Sequence, residues 1–147
     1  FNPFAADMDT EWRRLAQKID AGAEFVLTPP VLDVEAFEPV LARLRAAGVP
    51  IVAGVAALEG VRHGEFLASE VTGVRVPEAA LARLAAAPDE AEEAMRMTME
   101  IVTWLYARVQ GVHVTSFHGS PGTTERLLTL IGPTVVGAPV IEQVRHA

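Results

Sequence analysis

The sequence predicts an α/β fold of three parallel strands with flanking helices, amounting to part of a (β/α)8 TIM barrel. Short apolar runs at residues 25–28, 50–54 and 112–117 read as buried strands, and helical stretches separate each from the next. Strands that alternate with helices pair in parallel, because the crossover returns the chain in the same direction. Three such strands would leave two long apolar edges bare, which natural proteins avoid. A closed (β/α)8 barrel takes about 250 residues, whereas this chain has 147. Two accounts follow: strands outside this sequence complete the barrel, or the edges pair with another copy. The size of a closed barrel favours the first, with residues 1–147 as part of a single barrel domain.

Each element has a local reason. Trp12, Leu15, Ala16 and Ile19 fall at helical spacing on one stripe, with Asp9 as the expected N-cap and Gly22 at the C-terminal turn. Phe25 to Thr28 is short and apolar, and Pro29-Pro30 is expected to stop it. Asp33 can cap the next helix, whose Val34, Phe37, Leu41 and Leu44 share a face. Pro39 inside it is expected to kink it or shorten its first turns. Gly48 ends that helix before Pro50-Ile51-Val52-Ala53-Gly54. From Val61 to Ala87 the pattern is of short helical pieces broken at Gly73 and Pro77. Asp89 then caps the longest helix, carrying Met95, Met99, Val102, Tyr106 and Val109, and Gly111 closes it. A third strand to Phe117 and a last helix through Leu130 complete the pattern.

Composition narrows the functional classes. The net charge of −7 and the scattering of the 12 basic residues argue against nucleic acid or an anionic membrane as partner. With no cysteine, disulfides and thiolate metal sites are excluded. Neither a membrane span nor a signal peptide is legible. A cytoplasmic protein is expected.

Several landmarks occur in a telling order: Asn2-Pro3, then Lys18-Ile19-Asp20-Ala21-Gly22-Ala23 before a strand ending in Thr28. Pro50-Ile51-Val52-Ala53-Gly54-Val55, Glu65-Phe66-Leu67, Gly73-Val74-Arg75-Val76-Pro77 and Gly111-Val112-His113-Val114 follow. Over residues 2 to 130 this set resembles the C-terminal part of the methylenetetrahydrofolate reductase barrel, roughly its last three βα units. The resemblance implies FAD across the C-terminal ends of the strands, reduced by NADH or NADPH. It implies reduction of 5,10-methylenetetrahydrofolate to 5-methyltetrahydrofolate in one-carbon metabolism, so a folate-type partner. It implies flavin contacts for Asn2, Glu11 and Lys18, and substrate contacts around Pro29, His118 and Ser120. Partners would include the rest of the barrel or a second polypeptide, in an oligomer.

The chain also departs from the family pattern. Relatives usually follow the strand-ending Thr with a Gln that hydrogen-bonds the pterin; here Pro29 stands there, without a side-chain donor or a backbone N–H. Some relatives carry an Arg near Ser120, and the second strand ends Ala56-Ala57 where relatives often have a hydrophobic residue and Pro. The acidic proton donor of relatives lies on the first strand, which this sequence does not include.

Plainer roles stand beside these. Lys18 can lay its stem along the barrel with its ammonium in water, Glu11 can favour the helix dipole, and Asn2 can make a turn before Pro3. His63, His113 and His118 fall on one barrel face, where a metal could bind, but lack carboxylate or thiolate support at ligand spacing; His118 is the better candidate for a polar contact. Gly119 to Thr124 can cradle a phosphate, or Ser120 or Thr123 can cap the last helix. The methionine series reads as core and helix-surface filler, and Trp12 and Trp104 as core aromatics. The alternative functions are a reductase-like barrel without folate reductase activity, an interaction module whose strands pair with a second polypeptide, and a phosphate-binding barrel.

Overall fold

The computed structural model describes residues 1–117 and 121–132. Helix α1 spans Met8–Asp20, strand β1 Val26–Pro30, helix α2 Val34–Ala46 and strand β2 Ile51–Ala56. Helices α3 (Val61–Glu70), α4 (Glu78–Ala85) and α5 (Glu90–Tyr106) follow, then strand β3 (Gly111–Thr115) and helix α6 (Pro121–Ile131). The sheet has the order β1-β2-β3 with both pairings parallel. The three parallel strands with flanking helices match the expected part of a barrel.

The helix starts follow the capping chemistry, with one correction. Asp7, not Asp9, caps α1: its carboxylate accepts from the Thr10 amide at 3.0 Å and the Thr10 hydroxyl at 2.6 Å. Asp9 and Glu11 then lie in the first turn, where negative charge suits the helix dipole. Asp33 caps α2 through the Ala36 amide at 2.9 Å, and Asp89 caps α5 through the amides of Ala91 and Glu92. Pro39 does not shorten α2, which begins at Val34 and continues to Ala46 around it. The longest helix closes at Tyr106, ahead of Gly111, which opens β3 instead.

Alternation along β2 separates the two faces of the sheet. Ile51, Ala53 and Val55 are buried and join Phe37, Leu41 and Leu44 of α2 with Val102 and Leu105 of α5 in the core. Val52, Gly54 and Ala56 point the other way, toward the concave face. The register pairs Gly54 with His113 and Ala56 with Thr115, so the concave row continues across β3. Val112 and Val114 pack against the core. Met95 and Met97 are buried, while Trp12 and Trp104 only partly enter the core and carry Arg43 and Arg108 over their rings.

Phe25, just before β1, and Leu27 within it stay 44% and 48% exposed. The Phe1 nitrogen donates to the Leu27 carbonyl at 2.9 Å, and the Phe1 ring packs on Trp12 with centroids 4.6 Å apart. Those contacts lay the first residues along the edge of the sheet.

The Pro29-Pro30 pair is where the fold departs most from expectation. It does not stop the strand before it; β1 includes both prolines, and the register with β2 slips between Leu27 and Pro30. Neither proline has an N–H to give the ladder. The Gly54 amide therefore donates to Thr28 Oγ1 at 3.1 Å, and the ladder resumes with the Val31 amide on the Gly54 carbonyl at 2.9 Å. The Pro29-Pro30 peptide lies against the bare Cα of Gly54: a Cβ there would come within 2.6 Å of the Pro29 carbonyl carbon. Gly54→Ala should lower unfolding stability by about 1–3 kcal/mol, since backbone must yield. Urea unfolding measures this, and an unchanged midpoint would mean that the bulge is not held this close.

Arg83 of α4 ties α4 to α5. It donates to Glu93 at 2.6 Å and to both Glu100 oxygens at 2.8 Å, while Arg96 also pairs with Glu93. The hydrogen bonds from Arg83 hold the Glu100 carboxyl below the usual carboxylate range. A depressed carboxylate pKa adds stability above its unfolded value and loses it as pH falls through the folded value. Stability should therefore fall as pH drops from the ordinary Glu range through that depressed value, and Glu100→Gln should flatten that limb modestly, since the pair is largely exposed. Unfolding midpoints across acidic pH, wild type against variant, check it.

Candidate functional site

The C-terminal ends of the three strands gather most of the describable candidates. Pro29 ends up half-buried under the loop between α3 and α4. A Cβ on Gly73 would sit 3.0 Å from Pro29 Cγ and 3.1 Å from Asn2 Oδ1, so Gly73, at φ +85°, admits both neighbours only by lacking a side chain. Asn2 is in turn fixed from two sides. Its amide donates to Glu11 Oε1 at 2.7 Å, and its Oδ1 accepts from the Phe4 amide at 2.9 Å. Asn2, Glu11 and Pro29 thus belong to one cluster at the open edge of β1.

Lys18 stands apart from that cluster. It lies two turns beyond Glu11 on the same side of α1, about 10 Å along the axis. It is exposed and makes no ion pair among the described residues. The arrangement places a free ammonium and a partly engaged carboxylate along one helix face. His118 and Ser120 lie outside the described residues.

A second polar group crosses the concave face of the sheet. His113 Nε2 lies 2.9 Å from the Thr28 carbonyl oxygen, reaching over Gly54. Its Nδ1 lies 3.3 Å from Thr115 Oγ1. Thr28, only 2% exposed, accepts from the Gly54 amide and donates to the Pro29 carbonyl at 2.8 Å. Thr28, Gly54, His113 and Thr115 therefore form a hydrogen-bonded seam across all three strands, at the end where barrels of this type place their chemistry. Sequence reasoning noted His113 but preferred His118, and it missed Gly54, Gly73 and Thr115. The alternation His113-x-Thr115 on a strand carries the legible signal, since it puts both side chains on one face.

His63 sits elsewhere, in the first turn of α3. Its Nε2 meets the Phe117 carbonyl at 2.9 Å, and its buried Nδ1 has no partner among the described residues. Among the described residues no three His, Asp or Glu side chains converge as a metal site would need. A cleft of about 570 Å³ opens on the rim between Pro3-Phe4-Ala5, Ala36, Ala68 and Val74-Arg75-Val76. Arg75 borders it, with Nε 2.8 Å from the Asp33 carboxylate. Among the described residues no helix is long and apolar enough to cross a membrane.

Comparison with known proteins places this geometry. A solved structure of an uncharacterised Clostridium thermocellum protein, described as binding two copies of 5-methyl-5,6,7,8-tetrahydrofolic acid, superimposes with a TM-score of 0.60 at 18% identity. The likeness covers 82% of this chain and 46% of that one. Methylenetetrahydrofolate reductase 1 of Schizosaccharomyces pombe is 24% identical over 131 residues, covering 85% of this chain and 21% of the yeast protein. The chain thus spans a minor part of each relative's length. The methylenetetrahydrofolate reductase family model matches residues 1–130, and the chain belongs to that family.

Proposed function

We propose that this chain forms the C-terminal part of a cytoplasmic, FAD-dependent barrel that binds a folate-type ligand and reduces 5,10-methylenetetrahydrofolate. The observation that supports it most is the meeting of Asn2, Glu11 and Pro29 at the strand ends of a chain matched to the family over residues 1–130. The similar Clostridium thermocellum protein, which binds 5-methyltetrahydrofolate, supports the ligand class. The sheet's free edges would be completed by further strands of the same polypeptide or of a second one.

The donor set on this chain fits a flavin dinucleotide in charge and polarity. Lys18 would hold a phosphate through a charge-assisted contact, and the Glu11 oxygen not taken by Asn2 would accept from a ribitol hydroxyl. Asn2, anchored through its own amide and Oδ1, leaves its side-chain NH2 to donate. Bound flavin would supply hydride transfer, with reduced nicotinamide, NADH or NADPH, as the source of electrons. The chain's own contribution is to bind and orient.

Pro29 favours a second reading, a barrel that binds its ligand without reducing folate. Its ring is packed on Gly73 and its carbonyl is taken by Thr28, so position 29 offers the ligand no hydrogen bond in the way a Gln would. Flavin bands in the visible spectrum of the complete protein, and folate-dependent oxidation of its reduced flavin, separate the readings. Bands with no folate-dependent oxidation would sink the reductase assignment and keep the second. Lys18→Ala should weaken FAD retention several-fold at unchanged thermal stability; lowered stability with unchanged retention would make Lys18 structural. Pro29→Gln should tighten 5-methyltetrahydrofolate by about 1–3 kcal/mol, the worth of a hydrogen bond restored in a buried site. Calorimetric titration measures it, and unchanged affinity would place the ring away from position 29.

A further inference from the structure

The concave seam has a fixed hydrogen-bond polarity that follows from counting protons. The Thr28 carbonyl can only accept, so His113 Nε2 must carry the proton of that 2.9 Å contact. In the neutral imidazole Nδ1 is then a bare lone pair. Thr115, 3.3 Å away, must turn its hydroxyl hydrogen toward it. The outward side of Thr115 Oγ1 is left with lone pairs only. The other donors of the seam are spent as well: the Gly54 amide on Thr28 Oγ1, the Thr28 hydroxyl on the Pro29 carbonyl, and the Val31 amide on the Gly54 carbonyl. Pro29 and Pro30 have none.

We propose that Thr115 determines ligand specificity on the concave face, its hydroxyl oriented by His113 so that it accepts a hydrogen bond from an N–H group of the bound ring. The inference rests on the folate-type reading above and deepens it. A folate-type ring carries an amino-pyrimidine edge rich in N–H and a carbonyl edge without any, and a seam with its donors spent selects the first. His113 is a positioning residue here: it fixes the direction of the Thr115 hydroxyl and holds the end of β1 by the same ring. The site reads polarity from β3, where Pro29 on β1 reads none.

The test is a calorimetric titration of the complete protein with 5-methyltetrahydrofolate and with its analogue lacking the 2-amino group. Thr115→Val should bind the parent ligand about tenfold more weakly, the loss of one hydrogen bond in a shielded site. Thr115→Ser should stay within about twofold, because it keeps the oxygen. The wild type should lose about as much on removal of the amino group, and Thr115→Val should lose little further, since both changes delete one contact. Full additivity of the two losses, or Thr115→Val binding like wild type, would overturn the assignment while leaving the folate reading intact. Failure of the wild type to bind would instead overturn the folate reading and the ligand named here with it. Nitrogen NMR of the His113 ring in the free protein checks the polarity on its own: the Nε2-protonated neutral tautomer is expected, and a proton on Nδ1 would reverse the predicted direction of Thr115.

Discussion

The contact between the Pro29-Pro30 peptide and the bare Cα of Gly54 constrains everything around it. Two consecutive prolines remove two amide donors from β1, an edge strand among the described residues, where proline is tolerated best. The register with β2 nevertheless slips between Leu27 and Pro30. The sheet survives because other groups take over: the Thr28 hydroxyl replaces a carbonyl as acceptor for Gly54, and the His113 ring replaces an amide as donor to Thr28. Gly54 makes this possible by occupying no space. The apolar core behind the sheet would tolerate many sequences of similar volume, but this corner admits few.

That substitution of side chains for backbone also explains how stability and function come to share residues. A ladder hydrogen bond is anonymous; a histidine performing the same task brings a second ring nitrogen and a defined tautomer to the face. Thr115 is oriented as a consequence of how β1 is tied down. The loop above contributes in the same way. Gly73, strained toward positive φ, lets Asn2 and Pro29 approach together, and Glu11 anchors Asn2 from α1. Residues distant in sequence are thereby held at the strand ends by backbone and side-chain hydrogen bonds together, which favours a site formed before any ligand arrives.

Much of the fold was legible because it depends on local rules. Asp33 and Asp89 cap where capping chemistry puts them, Gly22 and Gly48 end helices at positive φ, and the apolar periodicity of α2 and α5 identifies their buried faces. Asp7 and Asp9 are two residues apart, and composition alone does not say which one meets the Thr10 amide. The prolines misled for a physical reason: local rules forbid them in a paired strand, and their accommodation depends on Gly54 and His113, 25 and 84 positions further along. The candidate site draws Asn2 and Glu11 from a family motif, and the structure joins the two by a hydrogen bond. It was illegible where it arises from cross-strand register, because pairing Gly54 with His113 requires knowing how β2 and β3 align.

Position 29 links the defect in the sheet to recognition on its face. A glutamine there would read a ligand from β1 with both donor and acceptor groups, and would restore an amide to the chain. Proline removes both, and its ring is packed against Gly73. On the reading proposed above, hydrogen-bond recognition from this chain's part of the face would come from β3, the strand that already reaches across to hold β1 in place. A site built this way accepts rather than donates at its centre, so it discriminates by the protons its ligand carries. On that proposal, the ligand edge selected by the seam is tied to the same two prolines that disrupt the sheet.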